Sequence, residues 1–199
     1  MTDIFKRLIA ITGGIGCGKS VCSEIFTKLG CQLVDTDKIC HDLYQDIHSG
    51  LISKFIKRWG SDIIENNNLN RKKIADIVFN QLSELEWLNK TIHPIIYDKA
   101  FSMVDLSKTV IFDIPLLFET QQHTNFQNIV CVWTSDEIQF KRLKERGWTD
   151  QEINNRLSSQ ISKDKKLDLS TFGIINNGDI NFLSIQCKQI YNKIKGYKK

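Results

Sequence analysis

Apolar residues recur along the chain in two alternating modes. Short continuous runs such as Leu8-Ile9-Ala10-Ile11, Val110-Ile111-Phe112 and Ile129-Val130-Cys131-Val132 read as strands buried on both faces. Between them, apolar side chains return every three or four residues, the period of an amphipathic helix. The pattern predicts strands at about Arg7–Thr12, at Gln32–Asp35, Thr109–Asp113 and Asn128–Trp133, and a short one at Gly173–Asn176. A helix with Val21, Ile25, Phe26 and Leu29 on one face follows the first strand and stops at Gly30. A last helix near Ile180–Ile194 covers the sheet. Strand and helix in alternation predict an α/β fold around a five-stranded parallel sheet.

Residues 36–108 depart from that alternation, because they carry helical periodicity throughout. Ile47–Trp59 reads as one helix ending before Gly60, and Asn70–Phe79 as another with Ile74, Ile77 and Val78 on one face. Ser83-x-x-Glu86 has the form of a capping box, and Pro94 suits the first turn of a helix running toward Met103. So much helix between two sheet strands predicts an insert, about residues 46–106, that builds a substrate site. A second helical stretch lies between the last two strands. Ser135 with Asp136 and Glu137 opens Ile138–Arg146, and the box Thr149-x-x-Glu152 opens Gln151–Ser159. The chain of 199 residues is thus expected to be one domain, with a core of about 1–45, 107–134 and 172–199 and a lid of about 135–171.

Composition narrows the function classes. Hydrophobic residues at 41% and charged residues at 25% suit an ordinary soluble globular protein. The net charge of +4 is mild and reads as a solvated surface, not as a nucleic-acid footprint. Part of it sits in Lys193, Lys195, Lys198 and Lys199, a tail expected to fray. No run of about 18 apolar residues predicts a membrane span. Met1–Lys6 lacks the apolar region of a signal peptide, so a cytoplasmic protein is expected. Six scattered cysteines without a C-x-x-C pair fit neither a zinc site nor a disulfide framework. Reduced, buried thiols are expected, with Cys17 as the exception. It lies beside a helix N-terminus, where a lowered thiol pKa and oxidation that disables the loop around it are expected.

The chemistry concentrates in Gly13-Gly14-Ile15-Gly16-Cys17-Gly18-Lys19-Ser20, a full G-x-x-x-x-G-K-[ST] phosphate loop between a strand and a helix. Its glycines let backbone N–H groups turn toward phosphate oxygens, and the helix adds its positive dipole end. Lys19 is placed to reach the β- and γ-phosphates of a nucleotide and Ser20 to ligate Mg²⁺. Asp35-Thr36-Asp37 ends the second strand, at the sheet edge that carries ligands in parallel α/β folds. One carboxylate suits a general base and the other a water-mediated Mg²⁺ contact, while Thr36 or Asp37 also suits a helix cap. Asp113 closes the third strand as a Mg²⁺-orienting acid or as a plain polar terminus. Pro115-Leu116-Leu117-Phe118-Glu119 follows, either as a pocket wall or as core. Arg142, Arg146, Arg156 and the run Lys163-Asp164-Lys165-Lys166 suggest a lid that neutralises phosphoryl charge, or a solvated face paired with Glu145 and Asp150. His93 stands before Pro94 as a structural or a substrate-binding imidazole.

Several of these motifs, in order and over almost the whole chain, resemble the dephospho-coenzyme A kinase family. Thr12–Ser20 is similar to its T-G-G-I-G-S-G-K-S/T, with Cys17 for serine, and Val34–Asp37 to its V-D-A-D, with Thr36 for alanine. Leu69-x-Arg71, Leu88-x-x-x-Ile92-His93-Pro94, Pro115–Glu119, Gln139-x-x-Arg142-Leu143-x-x-Arg146 and Arg156-x-x-x-Gln160 also match family patterns. Phe172–Gly178 resembles its last strand and adenine-side loop, although Leu167–Ser170 and Thr171 are less charged than the family's residues there. The resemblance implies a P-loop core in three layers, a helical coenzyme-A-binding insert and a lid. It implies ATP-dependent phosphorylation of the ribose 3′-hydroxyl of dephospho-coenzyme A, the last step of coenzyme A synthesis. It further implies Asp37 as general base with Asp35 beside it, and Arg142 and Arg146 on phosphates. Gly14, Ile15, Gly16, Cys17, Gly18, Lys19, Ser20 and Val21 would lie along the nucleotide, and Asp35, Arg71, His93, Pro115 and Leu116 on the acceptor side. A monomer or small homo-oligomer is expected. Another small-molecule P-loop kinase is the first rival. A GTP-driven switch is the second, and it lacks support because no N-K-x-D guanine signature occurs.

Overall fold

Five parallel strands form the centre of the structure: β1 (Leu8–Gly13), β2 (Gln32–Asp35), β5 (Val110–Asp113), β6 (Asn128–Trp133) and β7 (Phe172–Ile175), in the spatial order β2-β5-β1-β6-β7. The computed structural model describes residues 7–46, 50–65 and 68–196, without the side chains of Phe79 and Leu82. Met1–Lys6, the expected helix start at Ile47, and the tail residues Lys198 and Lys199 lie outside the described residues. β1 is buried along its whole length between β5 and β6, as its unbroken apolar run predicts. The register sets Ile11 beside Asp113 and Gly13 beside Val132. Alternate residues feed opposite faces. Ile9, Ile11, Ile111, Val130, Val132 and Ile174 pack against α1 (Lys19–Lys28) and α9 (Ile180–Gly196) through Phe26, Leu183, Cys187 and Ile190. On the other face Phe112 meets Phe126, and Cys131 meets the short helix α8 (Lys163–Asp168). Helices on both faces make three layers.

The chain divides into two compact units. The first runs to Val34 and resumes at Val104; the second is Asp35–Met103. The second unit holds α2 (Thr36–Gln45), α3 (Leu51–Trp59), a 3₁₀ turn at Ser61–Ile63, the two-residue strands β3 (Ile64–Glu65) and β4 (Asn68–Leu69), α4 (Arg71–Asn80) and α5 (Leu82–Ser102). It begins earlier than the expected insert, since α2 groups with it. Its core includes an aromatic cluster of Tyr44, Phe55, Trp59 and Trp87, and Glu84 receives hydrogen bonds from Arg58 Nε (2.9 Å), Arg58 Nη2 (2.7 Å) and Trp59 Nε1 (2.8 Å).

Two expectations for this unit are corrected. Pro94 does not open a helix: it lies inside the continuous α5. A proline there costs about 3 kcal/mol, and the buried Ile92, Ile96, Tyr97 and Ala100 around it supply packing that offsets it. Ser83-x-x-Glu86 is not a capping box, because the helix is capped at Gln81 with no side-chain hydrogen bond, and Ser83 lies within the helix. The first unit agrees better with local signals. Ser135 caps α6 (Asp136–Glu145), and Thr149 with Glu152 forms both halves of the box that opens α7 (Asp150–Ser158). Neither α8 nor the β3-β4 pair was legible, since both are too short to show a period. No helix among the described residues is long and apolar enough to cross a membrane.

Candidate active site

The loop from Gly13 to Lys19 is shaped by close approaches that only glycine permits. A Cβ on Gly13 would sit 2.4 Å from the Val132 carbonyl oxygen. Gly18 caps α1 at φ +91°, and a Cβ there would sit 2.1 Å from Asn176 Nδ2. The loop's carbonyls are then tied to the protein. Cys17 N donates to Gly14 O (3.1 Å), Gln139 Nε2 to Ile15 O (2.6 Å) and Asn176 Nδ2 to Cys17 O (2.8 Å). Arg142 donates to Cys17 O (3.5 Å) and Asn176 O (3.1 Å). With these acceptors satisfied, the N–H groups at the start of α1 can receive an anion, with the helix dipole behind them.

Asp113 is the charged counterpart of this cradle. It is buried, forms an ion pair with Lys19, and accepts from Ser23 Oγ at 3.0 Å. The register beside Ile11 places it there. Asp113 therefore does more than close a strand: it holds the loop lysine and the second turn of α1. Ser20 and Val21 are exposed at the start of α1.

The remaining sequence-predicted residues separate into several environments. Arg142 touches the phosphate loop, whereas Arg146 is exposed at the end of α6. The Arg156 guanidinium lies 4.3 Å from the centre of the Trp148 ring, a cation–π contact on the same segment. Leu117 and Phe118 are core residues, while Leu116 is exposed, so the pocket-wall alternative survives only for Leu116. The Pro115 carbonyl accepts from Thr12 Oγ1 at 3.2 Å. Asp35, and neither Thr36 nor Asp37, caps α2 by accepting from Lys38 N at 3.0 Å. Asp37 is exposed in the first turn of that helix.

In the second unit Arg71 opens α4. Its Nη1 lies 2.9 Å from His41 Nδ1, and its guanidinium 5.4 Å from the centre of the Tyr44 ring. A guanidinium only donates, so the His41 ring nitrogen facing it is the acceptor of this contact. Gln45 Nε2 sits 3.1 Å from the other ring nitrogen. His93 is half-buried in α5, and burial holds its pKa below the ordinary 6.5.

Cys17 overturns its expectation. The side chain is wholly buried, and desolvation raises its thiol pKa despite the opposing charges of Lys163 and Arg142. A buried neutral thiol is a poor target for oxidation. All six cysteines are free, and only Cys40 is even partly exposed. Sequence reasoning missed Asn176, Ser23 and His41 as partners of the site residues. For His41 no local signal existed, because 30 residues separate it from Arg71. For Ser23 the spacing after Lys19 places both on one face of α1, which the pattern already contained.

The geometry has a matching family. The family model described as dephospho-CoA kinase aligns with residues 7–181. The chain belongs to that family. A dephospho-CoA kinase from Helicobacter pylori is 35% identical over 193 residues, covering 94% of this chain and 96% of its own. One from Arabidopsis thaliana is 33% identical over 196 residues, covering 95% and 84%. A solved dephospho-CoA kinase from Campylobacter jejuni superposes with a TM-score of 0.71 at 28% identity, covering 96% of this chain and 98% of that one. The structure of TT1252 from Thermus thermophilus shares the fold with a TM-score of 0.79 at 22% identity, over 94% and 96% of the two chains.

Proposed function

We propose that this chain transfers the γ-phosphoryl group of ATP to the ribose 3′-hydroxyl of dephospho-CoA, giving CoA and ADP in the last step of CoA biosynthesis. The observation that carries the reading is the family match across residues 7–181, which includes an intact phosphate loop with Lys19 and Asp113 in place. Phosphoryl transfer needs positioning and charge neutralisation more than covalent chemistry. The loop N–H groups hold the phosphate oxygens, and Lys19 leaves Asp113 for the phosphoryl group being transferred. Arg142 lies against the loop and Arg146 on the same helix, and both neutralise developing charge. Asp37 takes the proton from the acceptor hydroxyl. Arg71 and His93 bind the acceptor, and transfer is in line with no covalent enzyme intermediate.

Magnesium fits the donor set. It binds through one or two protein oxygens plus nucleotide phosphates and waters, not through a protein cage. Among the described residues no cluster of three His, Cys, Asp or Glu side chains offers such a cage, whereas the Ser20 hydroxyl is exposed at the start of α1 and the Asp113 carboxylate lies beside Lys19. Ser20, with Asp113 through water, would hold the ion, whose charge would offset that of the β- and γ-phosphates.

The test is ADP release with Mg-ATP and a panel of dephospho-CoA, adenosine, AMP, gluconate and water alone. Strong release only with dephospho-CoA supports the reading. Release with another acceptor keeps the kinase chemistry and discards the substrate, and release without acceptor that is faster with GTP moves the protein to the switch class.

A further inference from the structure

Two sequence features remain outside this mechanism: the end of Pro115–Glu119 and the charged run Lys163–Lys166. The structure joins them. Lys166 is fully buried, which is rare for lysine and requires that its ammonium be paired. Its Nζ donates to the Pro115 carbonyl at 2.8 Å and lies 2.8 Å from Glu119 Oε1. The same Glu119 oxygen accepts from Ile161 N at 3.0 Å, just before α8. The Pro115 carbonyl also accepts from Thr12 Oγ1, one residue before the phosphate loop. A chain of contacts therefore runs from Thr12 through Pro115 and Lys166 to Glu119 and Ile161.

The same helix backs the loop directly. Lys163 is one turn from Lys166, so the two share a face. A Cβ on Gly14 would sit 3.1 Å from Lys163 Cβ, so the helix backbone is close behind the loop. The Lys163 ammonium is held away by an ion pair with Asp136 and lies 5.7 Å from the Trp133 ring centre. Lys163 thus meets the loop through its packing, and the Lys166 contacts tie the same helix to Pro115 and Glu119.

We propose that Lys166, with Glu119, is a positioning residue for ATP: the buried pair sets α8 against Gly14 and holds Thr12, and so fixes the register of the phosphate loop. The proposal rests on residues 13–20 being the ATP cradle. A buried pair suits this role because its geometry is sharply defined at low dielectric, and losing one partner leaves a buried uncompensated charge.

The experiment compares Lys166→Met, Lys166→Arg and Glu119→Gln in the full chain. It reads binding of a fluorescent ATP analogue without acceptor, then kcat and both KM values with dephospho-CoA. A misplaced loop is expected to lower ATP-analogue affinity and kcat/KM for ATP by about ten- to a hundredfold in Lys166→Met. The acceptor KM should stay within about threefold, and Lys166→Arg, which keeps the charge but adds bulk, should lose less ATP affinity than Lys166→Met. If Lys166→Met does not fold, Glu119→Gln, which keeps shape and removes charge, must show the same ATP-selective loss. Folded Lys166→Met or Glu119→Gln that is less heat-stable yet binds the analogue as the unmodified protein does would overturn the proposal. Direct nucleotide binding separates this outcome from failure of the dephospho-CoA reading, which would abolish turnover with that acceptor and leave binding intact.

Discussion

The phosphate loop and the Arg71 cluster are built by opposite means. The loop is a backbone structure. Its glycines, its carbonyl partners Gln139, Asn176 and Arg142, and the buried Asp113 beneath Lys19 leave it little freedom. The cluster of Arg71, His41 and Tyr44 is made of side chains on two helices, with Arg71 and His41 exposed over the buried Tyr44 ring. The difference suits two tasks. Triphosphate is the same in every P-loop kinase, and backbone N–H groups recognise it without regard to side chains. The acceptor differs between such kinases, and in the proposed reaction the exchangeable side chains around Arg71 would supply that selectivity at the cost of rigidity.

The contrast predicts which substrate each mutation affects. The largest effect is expected for Lys19→Ala, which removes the charge proposed to meet the transferring phosphoryl group and leaves Asp113 buried without its cation. Turnover should fall about a thousandfold, as measured by steady-state CoA formation; a loss under tenfold would remove Lys19 from the chemistry. Asp37→Asn is expected to lower kcat by about 10²- to 10⁴-fold, the range for loss of a general base, while ATP affinity changes little. Weakened ATP binding with unchanged turnover would end that assignment.

Arg71→Met should act on the other side of the comparison. Loss of a charge-assisted hydrogen bond is worth about 1.5–3 kcal/mol, so the dephospho-CoA KM should rise about ten- to a hundredfold with the ATP KM unmoved. His41→Ala frees Arg71 without removing it and should give a smaller rise of the same kind. If either variant raised the ATP KM instead, the division of labour would be wrong.

The smallest effect concerns pH. His93 titrates lower in the folded protein than its ordinary 6.5, because burial disfavours the charged ring. The unfolded chain then binds the proton first, so the stability this residue contributes is present above pH 6.5 and is lost as pH falls through the folded value. Thermal melts of His93→Gln should show a shallower decline than the unmodified protein as pH falls below 6.5. Parallel declines would show that His93 does not contribute.

Legibility in the sequence follows the same division. The phosphate loop, the β2 and β6 boundaries and the Thr149 capping box depend on contiguous residues, and all were visible. Family membership was visible too, because ordered motifs span most of the chain. What escaped depends on tertiary packing. Pro94 reads locally as a helix start, yet Ile92, Ile96 and Tyr97 pack well enough to carry the helix through it. Cys17 reads locally as an activated thiol beside a helix dipole, yet complete burial raises its pKa. Lys163 and Lys166 read as part of a charged lid or of a solvated face, yet both are buried. In each case desolvation or packing outweighed the neighbouring residues, and neither is encoded within a few positions.

The most direct test of the central claim is to incubate the purified protein with Mg-ATP and dephospho-CoA and identify the product by mass and by phosphorus NMR. The account predicts one added phosphoryl group, on the ribose 3′-oxygen, with one ADP formed per CoA. A phosphoryl group at any other position, or ADP formed at the same rate without the acceptor, would contradict it.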